Sequence, residues 1–184
     1  MGHKKRSSSF TLVQCQRCGT CCSEPIVPVT DSDVRRISAY LKKPVRKLVK
    51  FVSPAEISYD PDADLWIHFR YGKRAMTLRK VQNRCRFLSD KGCAIYPARP
   101  LTCRTFPYDV VLQSPKSRNI ESFELLSIVN CKATVSKKAS LAEVVENTRR
   151  ELREDRRYHR IIKKWNRRRA AGGTLDFLNF AGLE

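Results

Sequence analysis

Apolar side chains recur at two different periods along this chain, and the changes of period mark out its elements. Val34, Ile37 and Leu41 return every three or four residues behind Thr30-Asp31-Ser32-Asp33, which offers an N-cap and first-turn acids; the spacing predicts a helix to about Lys43. Pro44 suits the first turn of a second helix, with Val45, Leu48, Val49 and Val52 facing the core and Pro54 closing it. Leu65, Ile67 and Phe69 then alternate with Trp66, His68 and Arg70, the period of a strand with one buried face. Tyr71-Gly72-Lys73-Arg74 breaks it, and residues 75–81 read as the return strand of a hairpin. Two further strands are expected at 110–112 and 123–129, separated by a polar loop. After Ser140 the helical period returns through Leu141, Val144, Val145, Thr148, Leu152, Ile161, Ile162 and Trp165, an amphipathic helix of up to about 28 residues. Gly172-Gly173 ends it, and residues 175–180 are expected to dock as a short final helix.

Charge changes this picture most at the long helix. From Arg149 to Arg169 the chain carries nine Arg and two Lys against Glu151, Glu154 and Asp155, so the face opposite the apolar stripe is strongly basic. The whole chain of 184 residues has 37 Lys+Arg against 18 Asp+Glu, a formal charge of +19. Such a balance favours polyanionic partners, an acidic protein surface, nucleic acid or anionic lipid, against a solvated basic face as the plain alternative. With 41% hydrophobic residues the chain can bury a core of its own. No apolar run is long enough to span a membrane. The start is charged and serine-rich with no apolar stretch behind it, which points to the cytoplasm. The alternating acids at Asp60, Asp62 and Asp64 lack the glycine and the terminal glutamate of a calcium loop and read as a turn.

The chemistry lies in eight cysteines. Four fall within residues 15–22 as Cys15-x2-Cys18-x2-Cys21-Cys22, and Cys85, Cys93, Cys103 and Cys131 follow. Two thiolates separated by two residues can reach one ion from a single turn. The first three cysteines also match the start of the bacterial iron–sulfur run, which continues differently from Cys22 onward. Asp90-Lys91-Gly92 can fold Cys85 back beside Cys93, and Pro97 can open a short helix carrying Cys103, so three thiolates can meet the first loop. Arg99 and Arg104 flank them and can donate to thiolate sulfur, with an ordinary surface ion pair as the equal alternative. A disulfide framework is the alternative and needs an oxidising compartment. The predicted fold is α+β: a small metal-stapled domain with short antiparallel strands, two N-terminal helices and a long basic C-terminal helix. The expected divisions are a basic arm at 1–11, a cysteine-bearing domain at 12–135 and an amphipathic helix at 136–184 packed on it.

With both blocks in view the chain resembles the YkgJ-type cysteine-cluster family of zinc- or iron-chelating domains. The likeness rests on the motif at residues 15–22, Cys85-Arg86-Phe87-Leu88, Gly92-Cys93-Ala94-Ile95-Tyr96 and Arg99-Pro100-Leu101-Thr102-Cys103-Arg104-Thr105-Phe106-Pro107. The resemblance implies chelation of Zn2+ or Fe, including an iron–sulfur cluster, by Cys15, Cys18, Cys21, Cys22, Cys85, Cys93 and Cys103, with Cys131 the eighth. Flagellin lysine-N-methylases carry a similar cluster, so modification of a protein substrate is a function the resemblance permits. No glycine-rich strand-to-helix turn or histidine–carboxylate motif stands in this chain to support a self-contained methyltransferase. The leading expectation is therefore a structural or redox metal protein. A protein-modifying enzyme or accessory factor, and a nucleic-acid protein with a structural metal, are the competing classes.

Overall fold

The computed structural model describes residues 12–23, 26–57, 59–60, 63–82, 84–126, 134–135, 140–168 and 172–184. Among these, helices and short antiparallel strands are mixed, the α+β arrangement expected. In chain order they are β1 (Val13–Gln14), α1 (Asp31–Leu41), β2 (Val49–Val52), β3 (Ile67–Phe69), β4 (Gly72–Leu78), β5 (Lys80–Val81), β6 (Arg84–Cys85), β7 (Leu88–Ser89) and β8 (Gly92–Cys93). They continue with α2 (Leu101–Thr105), β9 (Tyr108–Leu112), β10 (Ile120–Leu125), β11 (Thr134–Val135), α3 (Leu141–Asn166) and α4 (Thr174–Phe180). The expected strand at 123–129 is described as far as Leu125 within β10; residues 127–129 lie outside the described residues.

α1 forms as its sequence demands. Thr30 accepts a hydrogen bond from the Asp33 amide, and the Asp33 carboxylate accepts in return from the Thr30 amide and hydroxyl. The helix ends where Lys42 turns left-handed at φ 51°. The second expected helix does not form. Its place is taken by a single 3-10 turn over Val45–Lys47 followed directly by β2, which pairs with β4 from Val49↔Leu78 to Val52↔Ala75. Val49, Phe51 and Val52 are strand-favouring residues, and pairing with a distant strand overrides a spacing that also fits a helix.

β4 is the middle strand of the sheet β2-β4-β3, and Ala75, Met76, Thr77 and Leu78 are all buried, as a strand covered on both faces requires. It begins at Gly72, three residues earlier than the alternation indicated, because Arg70 and Tyr71 alone make the reversal between Phe69 and Gly72. Trp66 is a second departure. It precedes β3, is 2% exposed, and donates its indole N–H to the Asp60 carbonyl at 2.7 Å in a satellite cluster with Val52, Ile57 and Ala75.

The main core forms where α1, α3, α4 and the three-stranded sheet meet. Phe177 of α4 sits at its centre, fully buried, with edge-on rings of Phe51, Phe69, Tyr158 and Trp165 at centroid distances of 5.5–6.5 Å. α3 contributes Tyr158, Ile162 and Trp165 from its apolar stripe. Ion pairs register it against α1: Arg157 meets Asp31 at 2.6 Å, and Arg36 meets Glu154 at 3.2 Å. No helix among the described residues is long and apolar enough to cross a membrane.

Asp33 does more than cap α1. Its second oxygen accepts from the Leu101 amide, the first residue of α2, at 3.0 Å and from Arg36 at 2.5 Å. Because the carboxylate is buried at 3% exposure, its removal strands several donors at once. Asp33→Ala is expected to cost about 3–5 kcal/mol in urea unfolding, the range for a broken buried ion pair. A loss under ~1 kcal/mol would mean that α1 and α2 are not tied through this group.

Candidate metal centre

The first cysteine block is clamped at its start by β1. Val13 donates its amide to the Tyr108 hydroxyl at 2.7 Å, and that hydroxyl donates to the Val13 carbonyl at 2.8 Å. β1 also pairs antiparallel with β11, Val13↔Val135. Residues 15–18 then run as an open loop, and a 3-10 turn over Thr20–Cys22 carries the adjacent pair Cys21 and Cys22.

The second block supplies three thiols from three local devices. Cys85 lies in the β5–β6 pair opposite Lys80, Cys93 lies in the β7–β8 pair opposite Leu88, and Cys103 rides on α2. The reversal at Asp90-Lys91 falls where the sequence placed it. α2 starts one proline later than expected: Pro97 falls in a 3-10 turn and Pro100 is the N-cap.

Two glycines let the blocks meet. Gly92, at φ +90°, faces Arg17 so closely that a Cβ there would stand 3.3 Å from both the Arg17 Cβ and its carbonyl oxygen. Gly19, at φ +79°, likewise leaves no room for a Cβ beside Leu88. Above this contact the guanidiniums of Arg17 and Arg99 lie 4.1 and 3.7 Å from the centroid of the Tyr96 ring. The Tyr96 ring thus ties an arginine of the first block to one of the second.

Cys15, Cys18, Cys21, Cys22, Cys85, Cys93 and Cys103 all line one cavity of about 310 Å³, and each is a free thiol. Cys131 lies outside the described residues. Apolar side chains such as Val27, Leu78, Ile95 and Phe106 fill most of the remaining wall, and among the described lining residues there is no carboxylate or imidazole. As the side chains stand, no three His, Cys, Asp or Glu groups among the described residues are gathered tightly enough to hold an ion. Cys15 and Cys18 are exposed at the rim, and the other five are partly covered.

The electrostatics are those of crowded sulfur. A hydrogen bond from Cys22 draws the Cys21 thiol down to about 7, and the same bond pushes Cys22 far up, so the adjacent thiols titrate as a pair. Burial, followed by the charges of Cys21, Cys85 and Cys93, pushes Cys103 well above the ordinary thiol value. Burial likewise raises Cys85 and Cys93. Seven soft donors that repel one another as anions are a donor set that zinc or iron satisfies and that magnesium or calcium does not. The expectation that Arg99 and Arg104 donate to sulfur is not met among the described residues. Arg99 donates to the carbonyls of Cys103 and Tyr96, and Arg104 to those of Arg99 and Pro97. Backbone carbonyls exposed by the irregular chain over residues 95–100 compete for them first; Arg99 acts on Cys21 and Cys93 through its charge alone.

A second cavity of about 250 Å³ shares Thr102, Phe106 and Leu126 with the first and carries Glu151 and Asp155 of α3. Glu151 accepts from the Thr102 hydroxyl at 2.9 Å. Asp33, Tyr108, Arg17 and the two glycines are functional supports that motif reading passed over, since only the Thr30–Asp33 capping box has a local signature.

The family model described as a "putative zinc- or iron-chelating domain", named for its CxxCxxCC motif, matches residues 14–132. The chain belongs to this family. The matched span contains all eight cysteines and stops short of α3. An uncharacterized protein of Methanocaldococcus jannaschii is 34% identical over 104 residues, which is 55% of this chain and 48% of that protein. The chain thus spans about half the length of the curated relative it matches. No solved structure matches it.

Gly92→Ala is expected to lower stability by about 1–3 kcal/mol through backbone strain and to make any bound metal easier to strip with a competing chelator. Gly72→Ala imposes similar strain at φ +108° but faces only the flexible end of Arg74, and should leave metal retention unchanged. Equal retention in both variants would detach Gly92 from the centre.

Asp155 gives a pH signature. Burial, then Glu151, Asp33 and Glu154, raises it from 3.8 to about 7, so the folded state holds this proton more tightly than the unfolded state. Its stabilising effect is present at acid pH and is lost as pH climbs from about 4 through about 7. Asp155→Asn should therefore raise the melting temperature more at pH 8 than at pH 5, as read by paired thermal melts. The same difference at both pH values would contradict it.

Proposed function

We propose that the chain chelates zinc or iron, as a single ion or an iron–sulfur cluster, through Cys15, Cys18, Cys21, Cys22, Cys85, Cys93 and Cys103, with Cys131 as the eighth donor. The observation that carries this reading is the convergence of seven thiols from two sequence-distant blocks on one cavity. Its volume exceeds the ~30 Å³ share of one water several times over, so it accommodates a cluster as readily as a lone ion. On this reading the group supplies positive charge that lets the buried thiols ionise together. The protein's part is to set the walls: Asp33 fixes α2 and Cys103, Tyr108 fixes the start of the first loop, and Gly92 seats that loop against β8. Cys15 and Cys18, exposed at the rim, swing inward to complete the donor set. The centre then joins segments 63 or more residues apart in sequence, a structural role, while the vicinal Cys21 and Cys22 give it access to redox chemistry.

The test is metal analysis and visible spectroscopy on protein purified without oxygen. Bound iron with a broad absorbance near ~400 nm assigns an iron–sulfur centre, and colourless protein with stoichiometric zinc assigns zinc. Chelation of the metal and Cys103→Ser should each lower the melting temperature sharply, because ligands assembled only in the native state couple binding to folding. Metal-free protein with a native-like melt would reject the proposal.

A further inference from the structure

α3 presents a second chemistry that owes nothing to the thiol cavity. Its basic residues divide into two sets. Those on its flanks are engaged within the protein: Arg150 pairs with Glu154, Arg157 with Asp31 and Lys163 with Asp64. Arg153, Arg156, Arg160, Lys164 and Arg167 are spaced three or four apart, are all exposed, and fall opposite the buried side chains Tyr158, Ile162 and Trp165. Among the described residues Arg156, Arg160, Lys164 and Arg167 meet no carboxylate, and Arg153 only reaches Glu146 at 3.7 Å. At 1.5 Å per residue the row runs for about 21 Å along α3 and its C-cap, Arg167.

The composition of the row selects its occupant. A protein partner needs an apolar or aromatic anchor, and none of the exposed large apolar side chains lies on α3. A single-stranded nucleic acid needs aromatic platforms for its bases, and the aromatics of α3, Tyr158 and Trp165, are buried. Four guanidiniums and an ammonium suit phosphate oxygens. A helical ridge suits the wide major groove of B-form DNA, whereas the deep, narrow groove of A-form RNA excludes it. We infer that the outer row of α3 is a sequence-independent docking surface for the phosphate backbone of duplex DNA. Its anchoring is rigid, since Ile162 and Trp165 are held in the main core beneath it.

The test is fluorescence anisotropy of the full chain, as purified, with a labelled mixed-sequence DNA duplex of ~20 base pairs over a range of salt. Binding near ~0.1 M salt is expected, with log affinity falling steeply against log salt at about −0.9 per phosphate neutralised. Replacing Arg153, Arg156, Arg160, Lys164 and Arg167 with Gln should weaken binding by more than about tenfold and flatten the slope by roughly 3–5. The melting temperature and metal content should stay unchanged. The set Arg153→Lys, Arg156→Lys, Arg160→Lys and Arg167→Lys, which keeps every charge, should retain most of the binding. If the Gln set does not fold, the pairs Arg153→Gln with Arg160→Gln, and Arg156→Gln with Arg167→Gln, must each reduce the slope. Absence of binding by the native chain, undiminished binding by the Gln variants, or displacement of the duplex more readily by polyglutamate, by the single strand or by duplex RNA would overturn the inference.

Discussion

One buried carboxylate decides how this protein is put together. Asp33 closes the capping box of α1 with one oxygen and holds the first amide of α2 with the other. Both carboxylate oxygens are thereby satisfied in the interior, and the Arg36 guanidinium pairs with the second of them. Through that group the helix that organises the core and the helix that carries Cys103 become one rigid unit. The thiol cavity has this unit as one wall. The other wall, the loop of residues 15–18, is tied in by the Tyr108 clasp, by the β1–β11 pair, by Arg17 on the Tyr96 ring and by seating on Gly92. The cavity thus has one wall fixed through the interior and another fixed by contacts at the surface.

The helices were readable because their signals are local. Thr30 and Asp33 announce α1, Ser140 and the three-to-four spacing announce α3, and both end close to where the pattern stops. β2 was misread because Val45, Leu48, Val49 and Val52 satisfy a helical period, while the partner that makes them a strand lies in β4, some 26 residues on. Trp66 was put on the wrong face because alternation was extended past the start of β3.

The same division holds at the cavity. Cysteines declare themselves by type and spacing, so the residues that line the cavity were easy to single out. Their supports were not: the bond from Leu101 to Asp33 spans 68 residues and that from Val13 to Tyr108 spans 95, and a single side chain bonding to distant backbone leaves no periodic trace. Arg99 and Arg104 do stand near sulfur, but their acceptors are backbone carbonyls, neither the sulfur nor the surface carboxylate that the sequence left open. Which acceptor a guanidinium finds depends on carbonyls left open by irregular backbone, and spacing does not record that.

Phe177, the most enclosed ring of the core, stands seven residues from the C-terminus of this chain, whereas the first cysteines stand near its beginning. On a ribosome adding about 5–20 residues per second, Cys15 to Cys22 emerge on the order of ten seconds before the residue that completes the core behind their partners. Through that interval the nascent thiols have no finished wall to face and are open to oxidants and stray metals. The placement of that one ring means that the wall behind the cysteines closes only after α4 has been made, long after the thiols of residues 15–22 have been joined to the chain.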